Sequence, residues 1–309
     1  MTAYLPHQRA RRDTVPVELA WYGVSTFRLR VGDVVVFLDA YLDRVPAAPP
    51  VGLASGEVTE ADAILVGHSH FDHLHGAQII SRNTGAAIIG SHETVRLMSE
   101  AGVPDDRLTA AGGGELIELG PDLRVRVLPS LHSCVWAGRS PDGRPPERGL
   151  PQHERQRRLA AGAQARPDLV TAEVRAHLRE CVNSPRGDGG ALGYLLDTPA
   201  GSLYWADTSG YWTGVIDGMQ PDIAVLAAAG TGNVDGEPAQ GSLADFVADQ
   251  VSLLRPRHLV LCHHDDWLPP LISPPDLGPV RSALADRAPG VTLHEPGYGT
   301  PLALHRLLP

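Results

Sequence analysis

The stretch Ala61-Asp62-Ala63-Ile64-Leu65-Val66-Gly67-His68-Ser69-His70-Phe71-Asp72-His73 passes from a short apolar run into three imidazoles and a carboxylate within six residues. An apolar run of this length that stops at a glycine reads as a buried strand. Imidazole nitrogen and carboxylate oxygen are ligands suited to zinc and related divalent cations. The chain has 14 His; three of them and an Asp at these offsets would arise by chance in roughly fewer than one chain in a hundred. The bland alternative is a loop of idle, solvated histidines, and what lies further along the chain argues against it.

Upstream, Val17 to Leu42 reads as a β-meander, with Val31-Gly32-Asp33 connecting strands over Phe27 to Leu29 and Val34 to Leu38. Downstream, helices are expected over Gly76 to Asn83 and Glu93 to Ala101, with a strand at Ala86 to Ile89 between them. A strand over Leu123 to Leu128 runs into His132. A hairpin of Ala191 to Leu196 with Ser202 to Trp205 runs into Asp207. Ile223 to Ala227 is a strand, Leu243 to Leu254 an amphipathic helix, and Arg257 to Cys262 a strand that ends at His263-His264-Asp265. His68, His132, Asp207 and His263 therefore each follow a separate strand. In βα architectures functional side chains gather at the carboxyl ends of strands, where loops converge on one rim. Idle loop residues have no reason to show that pattern.

The remaining composition narrows the class. With 43% hydrophobic and 20% charged residues, the chain is an ordinary globular protein rather than a disordered or fibrous one. The net charge is -10 and no lysine is present. An acidic chain without a basic tract is poorly suited to neutralise phosphates, which excludes a general nucleic-acid binder. Met1 to Pro16 has no apolar core of a secretory signal, and no run approaches the length of a membrane span. A cytoplasmic location with no integral membrane segment is expected. Cys134, Cys181 and Cys262 are too scattered for a disulfide framework and read as reduced thiols. The whole of 1–309 reads as one domain. Residues 133–190, rich in Arg, Pro and Gly with a helix-like stretch from Leu169 to Cys181, form an insertion that caps the site or makes contacts in a homo-oligomer.

The HSHFDH motif, followed by a lone His, an Asp and a His, resembles the metallo-β-lactamase superfamily over most of the chain. The opening meander ending in Asp39 is similar to its L-ascorbate-6-phosphate lactonase-like and phospholipase D-like branches. The resemblance implies an α/β fold, a four-layer αββα sandwich with the metals at one edge between two sheets. It implies that His68, His70 and His132 hold one divalent metal ion, that Asp72, His73 and His263 hold a second, and that Asp207 bridges both. Zinc is the first expectation, with manganese or iron as alternatives. Where the family often reads Gly-Asp-Thr this chain has Ala206-Asp207-Thr208, and where Asp-Pro is common it has Asp39-Ala40, which counts against a supporting role for Asp39.

His263 and His264 are adjacent in a strand, so only one points at the metals. His263, which matches the family's His, is the one the resemblance implies, and His264 is left as a substrate contact or a surface or core residue. His75 and His92 read as helix-start or loop residues. Two metals sharing a carboxylate and a water would produce hydroxide near neutral pH, with Asp72 as the proton acceptor. The expected reaction is hydrolysis of a small-molecule lactone or carboxylic ester. A phosphodiesterase is the second reading, and an iron enzyme handling oxygen or sulfur compounds or a non-catalytic metal-binding protein the others. Trp136, His153 and the arginines Arg139, Arg144 and Arg148 are candidate substrate contacts, each weighed against a solvated polar segment.

Overall fold

The computed structural model describes residues 15–137, 145–164, 169–185 and 187–307. Two seven-stranded sheets face each other. The first runs, in spatial order, Pro301–Ala303, Val17–Trp21, Phe27–Val31, Val34–Leu38, Ala63–Leu65, Ala87–Gly90 and Leu108–Ala110. The second runs Thr292–His294, His258–Cys262, Ile223–Ala227, Gly201–Ala206, Leu192–Thr198, Leu123–Pro129 and Leu116–Gly120. A small third sheet joins Gly210–Tyr211, Asn233–Val234 and Glu237–Pro238.

Alternation along the strands explains the layering. Val36 and Leu38 point inward, with Leu203, Trp205, Val225, Val260 and Cys262 from the facing sheet, into one core. Val35 and Phe37, on the other face, pack with Ile80, Leu97 and Met98 from helices Ala77–Thr84 and His92–Glu100. On the far side Tyr204, Leu226 and Leu261 pack with Phe246, Val247 and Leu284 from helices Leu243–Leu254 and Gly278–Arg287. Strands apolar on both faces are what a sheet buried between another sheet and helices requires. Each fully buried Leu, Val or Phe contributes about 1.5–3 kcal/mol, so these three clusters hold the layers together. The result is the four-layer αββα sandwich.

Strand direction positions the site. Val34–Leu38, Ala63–Leu65 and Ala87–Gly90 are parallel neighbours, and so are Gly201–Ala206, Ile223–Ala227 and His258–Cys262. Leu123–Pro129 is two antiparallel steps from Gly201–Ala206 and so runs the same way. The loops that leave these strands carry Asp39, His68, His132, Asp207 and His263.

Within the 133–190 segment the described residues contain two helices, Gln152–Gln164 and Ala172–Glu180. The second agrees with the expected helical stretch. The first is additional. Val174 of the second helix is buried against Tyr41, Trp267 and Leu268. Arg139 and Arg144 lie outside the described residues. Among the described residues no helix is long and apolar enough to cross a membrane, and all three cysteines are free.

Candidate metal centre

His70 ends the loop after Ala63–Leu65 in extended conformation, and the chain then closes into a one-turn helix, Phe71–Leu74. Leu74 N donates to the His70 carbonyl at 2.9 Å, and this turn carries Asp72 and His73 back toward His68. Three groups of donor atoms result, each with its members within 4.8 Å of one another: His68, His70 and His132; His68, His73 and Asp207; Asp72, His73 and His263. All seven residues singled out in the sequence thus meet at one edge between the sheets. The outer two groups are the two triads that the resemblance implies, and Asp207 stands in the group between them.

The distances are short. His68 Nδ1 lies 2.5 Å from Asp207 Oδ2, and His68 Nε2 lies 3.0 Å from His70 Nδ1. Asp72 Oδ2 is 3.4 Å from His73 Nε2 and 3.3 Å from His263 Nε2. His132 Nδ1 donates to the Ser133 carbonyl at 2.9 Å, which leaves Nε2 as the nitrogen with a free lone pair. Asn233 Nδ2 holds the His132 carbonyl at 2.7 Å.

Burial and charge set the protonation. Burial, then the neighbouring His73 and His70, hold the pKa of His68 well below the usual imidazole range. Burial, with His68 and His70, does the same for His132. Burial also opposes the charged form of His73, but the carboxylates of Asp72 and Asp39 outweigh it and hold its pKa well above the ordinary value. For Asp72 burial pushes upward, and His73 and His263 together overcome it and lower the pKa. Burial raises Asp207 to about 6 against the pull of His73 and His263.

The donor set fits divalent cations. Five imidazoles and two carboxylates are borderline ligands in the right number for two cations. Asp207 is buried, and its Oδ1 has no hydrogen-bond partner among the described residues. A buried carboxylate oxygen left without a partner is costly, and a cation relieves that cost. Neutral His68 and His132 each keep one ring nitrogen with a lone pair for a cation.

Asp39, whose following Ala counted against a supporting role, supports these donors, together with residues that the sequence did not single out. Asp39 is fully buried with φ 54°. Its Oδ2 accepts from His73 Nδ1 at 2.7 Å and from Ser25 Oγ at 2.6 Å, and its Oδ1 accepts from Gly67 N at 2.9 Å. It therefore fixes the ring of His73, so the missing Pro after Asp39 does not remove a supporting role. Gly67 is required by space: a Cβ there would stand 2.1 Å from the Asp207 carboxylate. Gly189, with φ +56°, lies against His68, and its carbonyl accepts from Ser69 N at 2.9 Å. Asn183 Oδ1 accepts from Phe71 N at 3.0 Å. The end of the 133–190 segment is thereby strapped onto the HSHFDH turn. The signal available in the sequence was only the run Arg186-Gly187-Asp188-Gly189-Gly190.

Of the other candidates, His264 stacks on Trp21 with ring centroids 5.0 Å apart and belongs to none of the donor groups. Its ring is half-buried. Trp136 lines a cavity of about 950 Å³ that opens at His132 and is also bounded by Arg155, Leu159 and Asn233. The Arg155 guanidinium lies 4.4 Å from the Trp136 ring centroid. His153 and Arg148 are exposed. His75 accepts from Val182 N at 3.4 Å, and His92 is the first residue of helix His92–Glu100.

The chain is similar to several known proteins. A UPF0173 metal-dependent hydrolase of Pyrobaculum islandicum is 30% identical over 118 residues, 38% of this chain and 52% of that protein. One from Anaeromyxobacter dehalogenans is 34% identical over 132 residues, 41% of this chain and 47% of that protein. The chain thus spans about half the length of the curated relatives it matches. Among solved structures, Igni18, a metallo hydrolase from Ignicoccus hospitalis, aligns with TM-score 0.57 and 16% identity over 93% of this chain and 97% of that one. An isothiocyanate hydrolase from Delia radicum gut bacteria aligns with TM-score 0.58 and 15% identity over 93% and 98%. These likenesses show the fold. The profile of the Beta-lactamase superfamily domain matches residues 35–264, a span that runs from the strand before Asp39 to the residue after His263, and the chain belongs to the metallo-β-lactamase superfamily.

Proposed function

We propose that the protein is a metal-dependent hydrolase that holds two divalent cations, zinc first, and cleaves a small-molecule lactone or carboxylic ester. The observation that carries this reading is the convergence of seven donor residues: His68, His70, His132, Asp207 and His263 from the exits of Ala63–Leu65, Leu123–Pro129, Gly201–Ala206 and His258–Cys262, and Asp72 and His73 from the one-turn helix Phe71–Leu74. His68, His70 and His132 would hold one cation, Asp72, His73 and His263 the other, and Asp207 would face both. Such a pair supplies an activated water and neutralises charge that develops on the substrate oxygen.

The chain's own groups supply the rest. Asp72, kept ionised by His73 and His263, accepts the proton of the attacking water and returns it to the leaving oxygen. Asp39 and Ser25 hold His73 in the tautomer with its proton on Nδ1. Trp136 and Leu159, from the 133–190 segment, give the cavity beside His132 an apolar wall for the substrate. In this reading the segment is a wall and a strap for the site.

The test is removal and return of the cation. Protein treated with a chelator should lose turnover on a panel of lactones and p-nitrophenyl esters, and Zn²⁺ or Mn²⁺ should restore it. Turnover indifferent to chelation sinks the proposal. Hydrolysis of bis(p-nitrophenyl) phosphate alone would move the assignment to a phosphodiesterase. Iron in the protein as purified would move it toward oxygen or sulfur chemistry.

A further inference from the structure

Val24 and His263 both have positive φ, 45° and 59°. For a β-branched residue that conformation is a genuine outlier, and it persists only where the surroundings over-determine it. The two are joined: His263 N donates to the Val24 carbonyl at 2.6 Å. Trp21 Nε1 donates to the same carbonyl at 3.1 Å. On its other side, Val24 N donates to Asp265 Oδ1 at 2.9 Å. Asp265 Oδ2 in turn accepts from Arg44 Nη2 at 2.6 Å and from Tyr298 Oη at 2.8 Å. The Arg44 and Asp265 side chains are 4% and 6% exposed, and Arg44 Nε and Nη1 have no partner among the described residues. Among the described residues the guanidinium is hydrogen-bonded through this carboxylate, and it lies 5.4 Å from the Tyr298 ring centroid.

The next residue, Ser25, touches the other half of the same triad. Its Oγ donates to Asp39 Oδ2 at 2.6 Å and lies 2.8 Å from His73 Nδ1. The two-residue segment Val24-Ser25 thus sets the main chain of His263 and the ring of His73, and it contacts none of His68, His70 and His132 through these bonds. We infer that Asp265, clamped by Arg44 and Tyr298, is a positioning residue for one cation site only: it fixes Val24-Ser25 and through it the His73 and His263 donors of the second triad. This rests on the two-cation reading above. Groups that hold donors in place are commonly as necessary for affinity as the donors themselves.

The test is a cobalt(II) titration of the full chain, followed by ligand-field absorption and by metal analysis after gel filtration. Arg44→Met with Asp265→Ala removes the clamp without leaving a buried charge unpaired. We expect affinity for the second cation to fall about 10- to 100-fold while the first changes by less than about twofold. Arg44→Met with Asp265→Asn keeps an acceptor for Val24 N and should recover most of that loss. Tyr298→Phe leaves the Arg44–Asp265 pair in place and keeps the test readable if the double variants fail to fold; it should weaken the second cation alone, by about threefold, a fraction of the worth of a hydrogen bond to a charged group because the loss reaches His263 only through Asp265 and Val24. Equal weakening of both cations, or no change in either, overturns the assignment. A wild-type chain that takes up fewer than two cations overturns the two-cation reading and this inference with it, an outcome distinct from variants that lose both cations together.

Discussion

Replacing Gly67 by alanine should disable the site without touching any donor. Gly67 does not have a positive φ, so alanine suits its backbone and only space forbids it. The added methyl would stand 2.1 Å from Asp207 Oδ2 and Cγ and 2.7 Å from its Cβ. The carboxylate must retreat by about 1.3 Å before the contact reaches the ordinary range that begins at 3.4 Å. It has nowhere easy to go. Asp207 is 1% exposed at its side chain and lies between His68 at 2.5 Å and His73 at 3.3 Å. The backbone of Gly67 is held as well, by Asp39 Oδ1 at 2.9 Å and by Leu192 N at 2.7 Å. Overpacking of this kind costs about 1–3 kcal/mol, which should lower the melting temperature by a few degrees without unfolding the protein. The loss at the site should be larger, because a displacement near 1 Å in a catalytic group costs about 100-fold in rate. Gly56→Ala, at a position with open space and no positive φ, is the control and should change nothing. The assay is calorimetric cation titration beside thermal melting of both variants. If Gly67→Ala binds two cations with wild-type affinity, the carboxylate of Asp207 is not where the reasoning needs it.

Three further outcomes follow from the same geometry. His73 is held above its ordinary pKa in the metal-free protein, so it carries a proton near neutral pH and must lose it to become a ligand; cation binding at pH 7 should release protons and tighten as pH rises until His73 is already neutral, and calorimetry in two buffers of different ionisation enthalpy reads this directly, with net uptake refuting it. Asp39→Asn removes the charge on His73 Nδ1, so it should lower cation affinity by about 10- to 100-fold and also release fewer protons on binding. Trp136→Ala should leave cation stoichiometry unchanged while lowering kcat/KM for esters with a bulky acyl group by about tenfold relative to small ones, the scale of losing part of an apolar wall; equal effects on both would remove Trp136 from the substrate cavity.

What could be read from the chain follows from how each part is buried. The central strands, such as Ile223–Ala227 and His258–Cys262, are apolar on both faces because sheet and helix enclose them, and such runs announce themselves. The edge strand Leu116–Gly120 is half-exposed along its length, and Leu108–Ala110 has two exposed residues of three; neither has a pattern to read. Helix Gln152–Gln164 went unseen because QHERQRRLAAGAQ carries no apolar stripe beyond Leu159 and scattered alanines.

The donors were legible for a different reason. A cation demands particular atoms, so its ligands must be His and Asp, and their spacing survives in the sequence as a motif. The residues that aim those donors are under no such chemical demand. Asp39 and Asp265 are ordinary acidic residues until the fold turns their carboxylates onto His73 and onto Val24. Gly67 is an ordinary glycine until Asp207 arrives from a strand 140 positions away in the chain and fills the volume a side chain would need. Strand alternation says only that one of His263 and His264 can face the cations, and it is the resemblance that points to His263. Neither could show that His263 leaves the strand with φ 59°, and that backbone turn, held by Val24, is what brings its Nε2 within 3.3 Å of Asp72. A site of this kind is thus written in the sequence as its ligands, while its geometry is set by contacts between segments that only folding brings together.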